Sequence, residues 1–142
     1  MHRLISRLAV MLLVTACTDA AGPPEQTIWE ATLIGTPEYP EFTGSAAAIS
    51  RASGSEISIQ VEGLPSGTSY AWRIRRGDCQ DPGSVFSSED SYPDLDVGES
   101  GSATTNTFIG RSLTVSSTYN VAVLTSDLVP ELVACGSLVA RQ

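Results

Sequence analysis

The chain has 142 residues, with eight arginines, no lysine, 16 acids, one histidine and three cysteines, a size that suits one domain rather than two. The histidine is His2, inside a segment that reads as a targeting signal, so the working protein would hold neither histidine nor lysine. That excludes Ser-His-Asp and Cys-His catalysis, histidine-ligated zinc or copper, lysine Schiff bases and the P-loop lysine, and no cofactor is expected.

Residues 1–16 form a basic start (Arg3, Arg7) and an apolar run, Leu8–Val14, far short of the roughly 20 residues that span a bilayer. The end of this signal, Leu13-Val14-Thr15-Ala16-Cys17, resembles the lipobox of bacterial lipoproteins. The resemblance implies lipidation of Cys17 and attachment to a membrane through the N-terminal lipid. Thr18, rather than Asp, follows the cysteine, which implies the outer membrane if the host is Gram-negative. An ordinary signal peptide cut near Ala20-Ala21-Gly22, with Cys17 discarded, is the alternative. Loss of Arg3 and Arg7 with the signal takes the net charge from −8 to −10. A surface so acidic repels nucleic acid and anionic headgroups, so no nucleic-acid partner is expected.

Residues 17–26 are small, polar and proline-containing and suit a tether, followed by one domain over 27–142. In that domain the dominant period is two. Glu56–Glu62 alternates strictly, with Ile57, Ile59 and Val61 on one face and Ser58, Gln60 and Glu62 on the other. Less strict strands are predicted over Ile28–Ile34, Gly44–Arg51, Ser69–Arg76, Ser102–Ile109, Tyr119–Ser126 and Glu131–Ala140, separated by Gly, Pro, Ser and Asp clusters. No stretch sustains a helical period with caps. The expected fold class is all-β: a Greek-key β-sandwich or flattened barrel of about seven to eight strands, with a long insertion between the fourth and fifth. With Cys17 assigned to lipid, Cys79 and Cys135 are the remaining pair in an oxidising compartment. A disulfide between them would contribute about 4 kcal/mol in the chain-entropy model.

Three segments, Val61-Glu-Gly-Leu-Pro-Ser-Gly67, Tyr70-Ala-Trp-Arg-Ile-Arg-Arg-Gly-Asp-Cys79 and Val133-Ala-Cys-Gly-Ser-Leu138, together with Gly101-Ser-Ala103, resemble the copper/zinc superoxide dismutase-like fold and its chordin-type relatives. They correspond in order to the family's "V-x-G-L-x-x-G" turn, its "H-x-H-x-x-G-x-C" ligand strand, its "A-C-G-x-I" terminus and the "G-x-A" after its metal loop. The resemblance implies a Cys79–Cys135 disulfide. The departures matter more. The two ligand histidines fall on Arg73 and Arg75 or, one residue out of register, on Trp72 and Ile74. The bridging and zinc histidines have no counterpart in 81–96, the last copper histidine has none in 111–127, and Leu132 stands at the active-site arginine. The resemblance thus implies a scaffold without its metal site.

Arg73, Arg75 and Arg76 are the basic cluster of the domain and a candidate site for a small anionic ligand, since Arg73 and Arg75 share a strand face. Pairing with Asp78, Asp81 or Glu89 is the simpler role. The acidic stretch 87–99 offers oxygen ligands for calcium but lacks the spacing of a known calcium loop, which favours a solvated loop. The expected function is a non-catalytic binding or structural domain of the cell envelope, with an envelope protein as a possible partner. Nothing in the chain specifies an oligomeric state. The alternatives are an envelope enzyme, either a superoxide dismutase-type metalloprotein with a non-histidine site or an acid-pair hydrolase, and a calcium-stabilised adhesion module.

Overall fold

The computed structural model describes Gly22 and Glu25–Arg141. The signal 1–16, Cys17 and most of the tether lie outside the described residues. Strands form where alternation, strict in Glu56–Glu62 and looser elsewhere, predicts them: β1 (Thr27–Gly35), β2 (Thr43–Arg51), β3 (Gly54–Glu62) and β4 (Ser69–Gly77). Two short strands, β5 (Pro82–Val85) and β6 (Leu95–Asp96), and a 3-10 turn at Glu89–Ser91 occupy the insertion. Then follow β7 (Ala103–Ile109), β8 (Tyr119–Thr125) and β9 (Leu132–Arg141). β5 and β6 are too short to carry a readable period.

All nine strands belong to one antiparallel sheet in the order β5-β4-β8-β9-β1-β2-β3-β7, with β6 also paired to β4. The sheet curls into a half-barrel, so the architecture is one continuous sheet rather than two stacked ones. Inward residues alternate along every long strand: Trp29, Ala31 and Leu33; Ala46 and Ala48; Ile57, Ile59 and Val61; Tyr70, Trp72 and Ile74; Tyr119, Val121 and Val123. They meet in a single core. The middle of the outer face of β1, β2, β3 and β7 is polar, as in the cross-strand row Thr32, Ser45, Gln60 and Thr104.

The half-barrel has two ends. β1 begins at the proximal end, where the β2–β3 turn, the 110–118 connection and Arg141 also lie. Connections 36–42, 63–68, 97–102 and 126–131 lie at the distal end. Each end is plugged by a leucine. Leu113 is held proximally by a buried pair, Ser50 and Ser55, whose hydroxyls are 2.9 Å apart. The Ser50 hydroxyl donates to Leu113 O, and Leu113 N donates to Ser55 Oγ. Leu64 fills the distal end as the chain crosses from β3 to β4, its amide donating to Gly101 O at 3.1 Å. That crossing starts at Gly63, with φ of 77°, where a Cβ would stand 2.0 Å from Glu41 O.

Candidate functional site

The edges of the sheet, β7 on one side and β4 with its two short partners on the other, meet without strand pairing among the described residues. Side chains close this seam. Between its pairings with β5 and β6, β4 leaves a stretch of free edge around Trp72–Ile74, and the 86–94 segment covers it. Phe86 N donates to Ile74 O at 2.8 Å, and the Trp72 indole Nε1 donates to Pro93 O at 2.7 Å. The Tyr92 ring stacks edge-on against Trp72, with centroids 5.0 Å apart. From β7, the Thr107 hydroxyl donates to Ser91 O at 2.7 Å. Arg111, just beyond β7, donates from Nη1 to Phe86 O at 2.7 Å and lies 5.0 Å over the Phe86 ring.

The three arginines of the predicted cluster sit on β4, and alternation divides them. Arg73 and Arg75 face outward beside Ala122 and Asn120, whereas Arg76 is opposite Tyr119, on the face that carries the core. Arg73 turns to the seam. Its Nη1 donates to Trp72 O at 2.7 Å, its Nη2 lies 3.9 Å from a Glu89 carboxylate oxygen, and its guanidinium stands 5.9 Å from the Tyr92 centroid. Arg75 turns the other way along the edge, its Nε donating to Gly83 O of β5 at 3.0 Å. Arg76 is exposed. The structure therefore brings Arg73 to one of its three anticipated acid partners and gives each guanidinium its own surroundings.

The disulfide joins Cys79, on the connection after β4, to Cys135 on the outer face of β9, with Cα atoms 6.0 Å apart. It draws 77–81 across β8. Under it Asn120 is fully buried on the outward side of the sheet, its Nδ2 donating to Gly77 O at 3.0 Å and Asp78 O at 3.1 Å. Asp78 Oδ1 accepts from the amides of Gln80 and Asp81, which sets the turn that presents Cys79. The signal for Asn120 was present in the chain as a lone amide in the apolar strand Tyr119–Leu124, but reading it needs the knowledge that a loop crosses that face.

Burial pushes the Tyr92 phenol above its ordinary range, against the opposing pull of the positive charges of Arg73 and Arg111. At Tyr119 burial acts in the same direction, but hydrogen bonds from Thr114 and Ser117 and the charge of Arg76 outweigh it and leave the phenol below its ordinary value. In the acidic stretch 87–99, Glu89 faces Arg73 and Asp96 accepts from the Ser69 hydroxyl at 2.9 Å. Among the described residues no three carboxylates, cysteines or histidines converge as metal ligands would. The chain matches no known protein-family model and no curated protein.

Proposed function

We propose that this protein is an exported, lipid-anchored, non-catalytic binding or structural domain of the cell envelope, built on a Greek-key scaffold of the superoxide dismutase-like type. One observation carries the reading: both pairs of positions that the resemblance assigns to the ligand histidines hold side chains committed to the fold. Trp72 and Ile74 are fully buried, Arg73 is tied into the seam and Arg75 to β5. A strand order in which β4 lies beside β8 and β7 beside β3, with a disulfide from the connection after β4 to the last strand, supports the scaffold. The disulfide also lends weak support to an oxidising compartment. Lipidation rests on the Leu13–Cys17 motif, and β1 starting at Thr27 leaves room for a tether.

Two measurements test this. Mass spectrometry of the membrane-bound protein should show an acylated Cys17 and the loss of that mass in Cys17→Ala; an unmodified Cys17 in the membrane fraction contradicts the anchor. Purified protein should carry no stoichiometric copper, zinc or manganese, and superoxide turnover with such a metal would overturn the non-catalytic reading.

A further inference from the structure

Charge is segregated along the barrel. Of the six described arginines, Arg51, Arg75, Arg76, Arg111 and Arg141 lie on strand ends or connections of the proximal end, and Arg73 lies on the seam. The distal end has none; it carries Glu38, Glu41, Glu62, Asp96, Glu99, Asp127 and Glu131. A single net charge for the chain hides this polarity.

The same end carries the three most exposed large apolar residues among those described, Leu128, Val129 and Ile34, while Phe108, Val115 and Val139 are exposed toward the proximal end. Leu128 and Val129, at the tip of the β8–β9 hairpin, are 104% and 79% exposed, and Ile34 and Leu132, at the distal ends of β1 and β9, are 72% and 42% exposed. Thr36 N donates to Val133 O, which sets the β1–β2 connection against the base of this hairpin. Between them Thr36, Pro37, Glu38, Glu131 and Leu132 line an open surface depression of about 340 Å³. Asp127 lies with Glu131 on the connection that carries the apolar tip.

Isolated exposed apolar residues are ordinary, but two adjacent ones at a hairpin tip with an acidic collar form a surface with a defined complement. The collar repels an anionic bilayer, and a two-fold pairing of distal ends would set acids against acids. We infer that the distal end docks a cationic amphipathic segment of another polypeptide, with its apolar side chains on Leu128, Val129 and Leu132 and its basic ones on Glu38, Asp127 and Glu131. The tip stands at the end opposite Thr27, so a chain tethered by its N-terminus leaves it open. The inference rests on the binding-domain reading above but not on the lipid.

Every strand among the described residues, the core and the disulfide lie within Thr27–Arg141, so unlipidated protein from Thr18 onward carries all of them. It is titrated with a synthetic Leu/Lys peptide whose leucines share one helical face, with a Leu/Glu peptide as control, and amide shifts are followed by NMR. The Leu/Lys peptide should bind, more weakly as salt rises, with shifts centred on 36–42 and 126–132. L128S/V129S should weaken binding about tenfold without altering the melting temperature, since both side chains are exposed. Unchanged affinity in that variant overturns the inference, as do shifts centred on the proximal end or on 87–94. So does tip-dependent self-association, or tip-dependent binding to phosphatidylcholine vesicles in place of peptide. An unmodified Cys17 would leave this titration untouched, and a failed titration would leave the lipidation result standing.

Discussion

The half-barrel is closed in two different ways. From β9 through β1, β2 and β3 to β7, backbone ladders do the closing, and the outward side chains are free to be small and polar. Along the seam between β7 and β4, side chains do it, and the hydrogen-bonding side chains of that region are consumed: Trp72, Arg73, Tyr92, Thr107 and Arg111. A backbone ladder satisfies its own polar groups whatever the side chains are, whereas a free strand edge must be satisfied by specific donors. An arginine beside such an edge is therefore weaker evidence of a ligand than an arginine on a laddered face.

Substitutions should separate the two regions, most strongly at Trp72. Trp72→Ala is expected to cost about 4 kcal/mol, since it empties a buried site and leaves Pro93 O without its indole donor. Amide exchange should rise over 85–95 before it rises in β1–β3; simultaneous loss in both regions would show that the seam has no separate stability. Removing the disulfide with Cys79→Ser/Cys135→Ser should cost about 4 kcal/mol in urea titrations. The Asn120 side-chain amide should then lose its protection as 77–81 lifts from β8. Arg111→Gln should cost about 1 kcal/mol, with increased exchange confined to the seam, whereas Thr32→Ala on the laddered face should stay within about 0.5 kcal/mol.

The smallest effect is a pH dependence. Burial raises the Tyr92 phenol, so the folded protein keeps that proton at a pH where the unfolded chain releases it, near about 10. The contribution is fully present below that pH and declines as pH rises toward the folded value. Tyr39 has the same sign and Tyr119 the opposite one. Urea midpoints measured from about pH 8 to 11 should fall less steeply in Tyr92→Phe than in the parent; equal slopes would assign the alkaline loss elsewhere.

Legibility followed the same division. The seven long strands were readable because alternation of the kind seen in Glu56–Glu62 reports which face is buried, and the Cys79–Cys135 pairing followed from cysteine number and compartment. β5 and β6 were not readable, because four- and two-residue strands are held by β4 rather than by their own pattern. The Arg73, Arg75 and Arg76 cluster was visible as composition, but a linear chain does not show that Arg73 bends to an edge while Arg76 lies on the other face. Asn120 was hidden for the same reason.

By itself, the order of residues determined an all-β body, its long strands, its one disulfide and the absence of histidine beyond His2. These depend on local periodicity and on which side chains exist at all. Tertiary structure alone decided that the strands form one sheet with a side-chain seam. It also decided that five of the six described arginines gather at the end where β1 begins, and that the opposite end, with its apolar tip, carries acids and none of those arginines. Those outcomes depend on which connections the curl of the sheet brings to the same end, and that is a property of topology rather than of any local pattern.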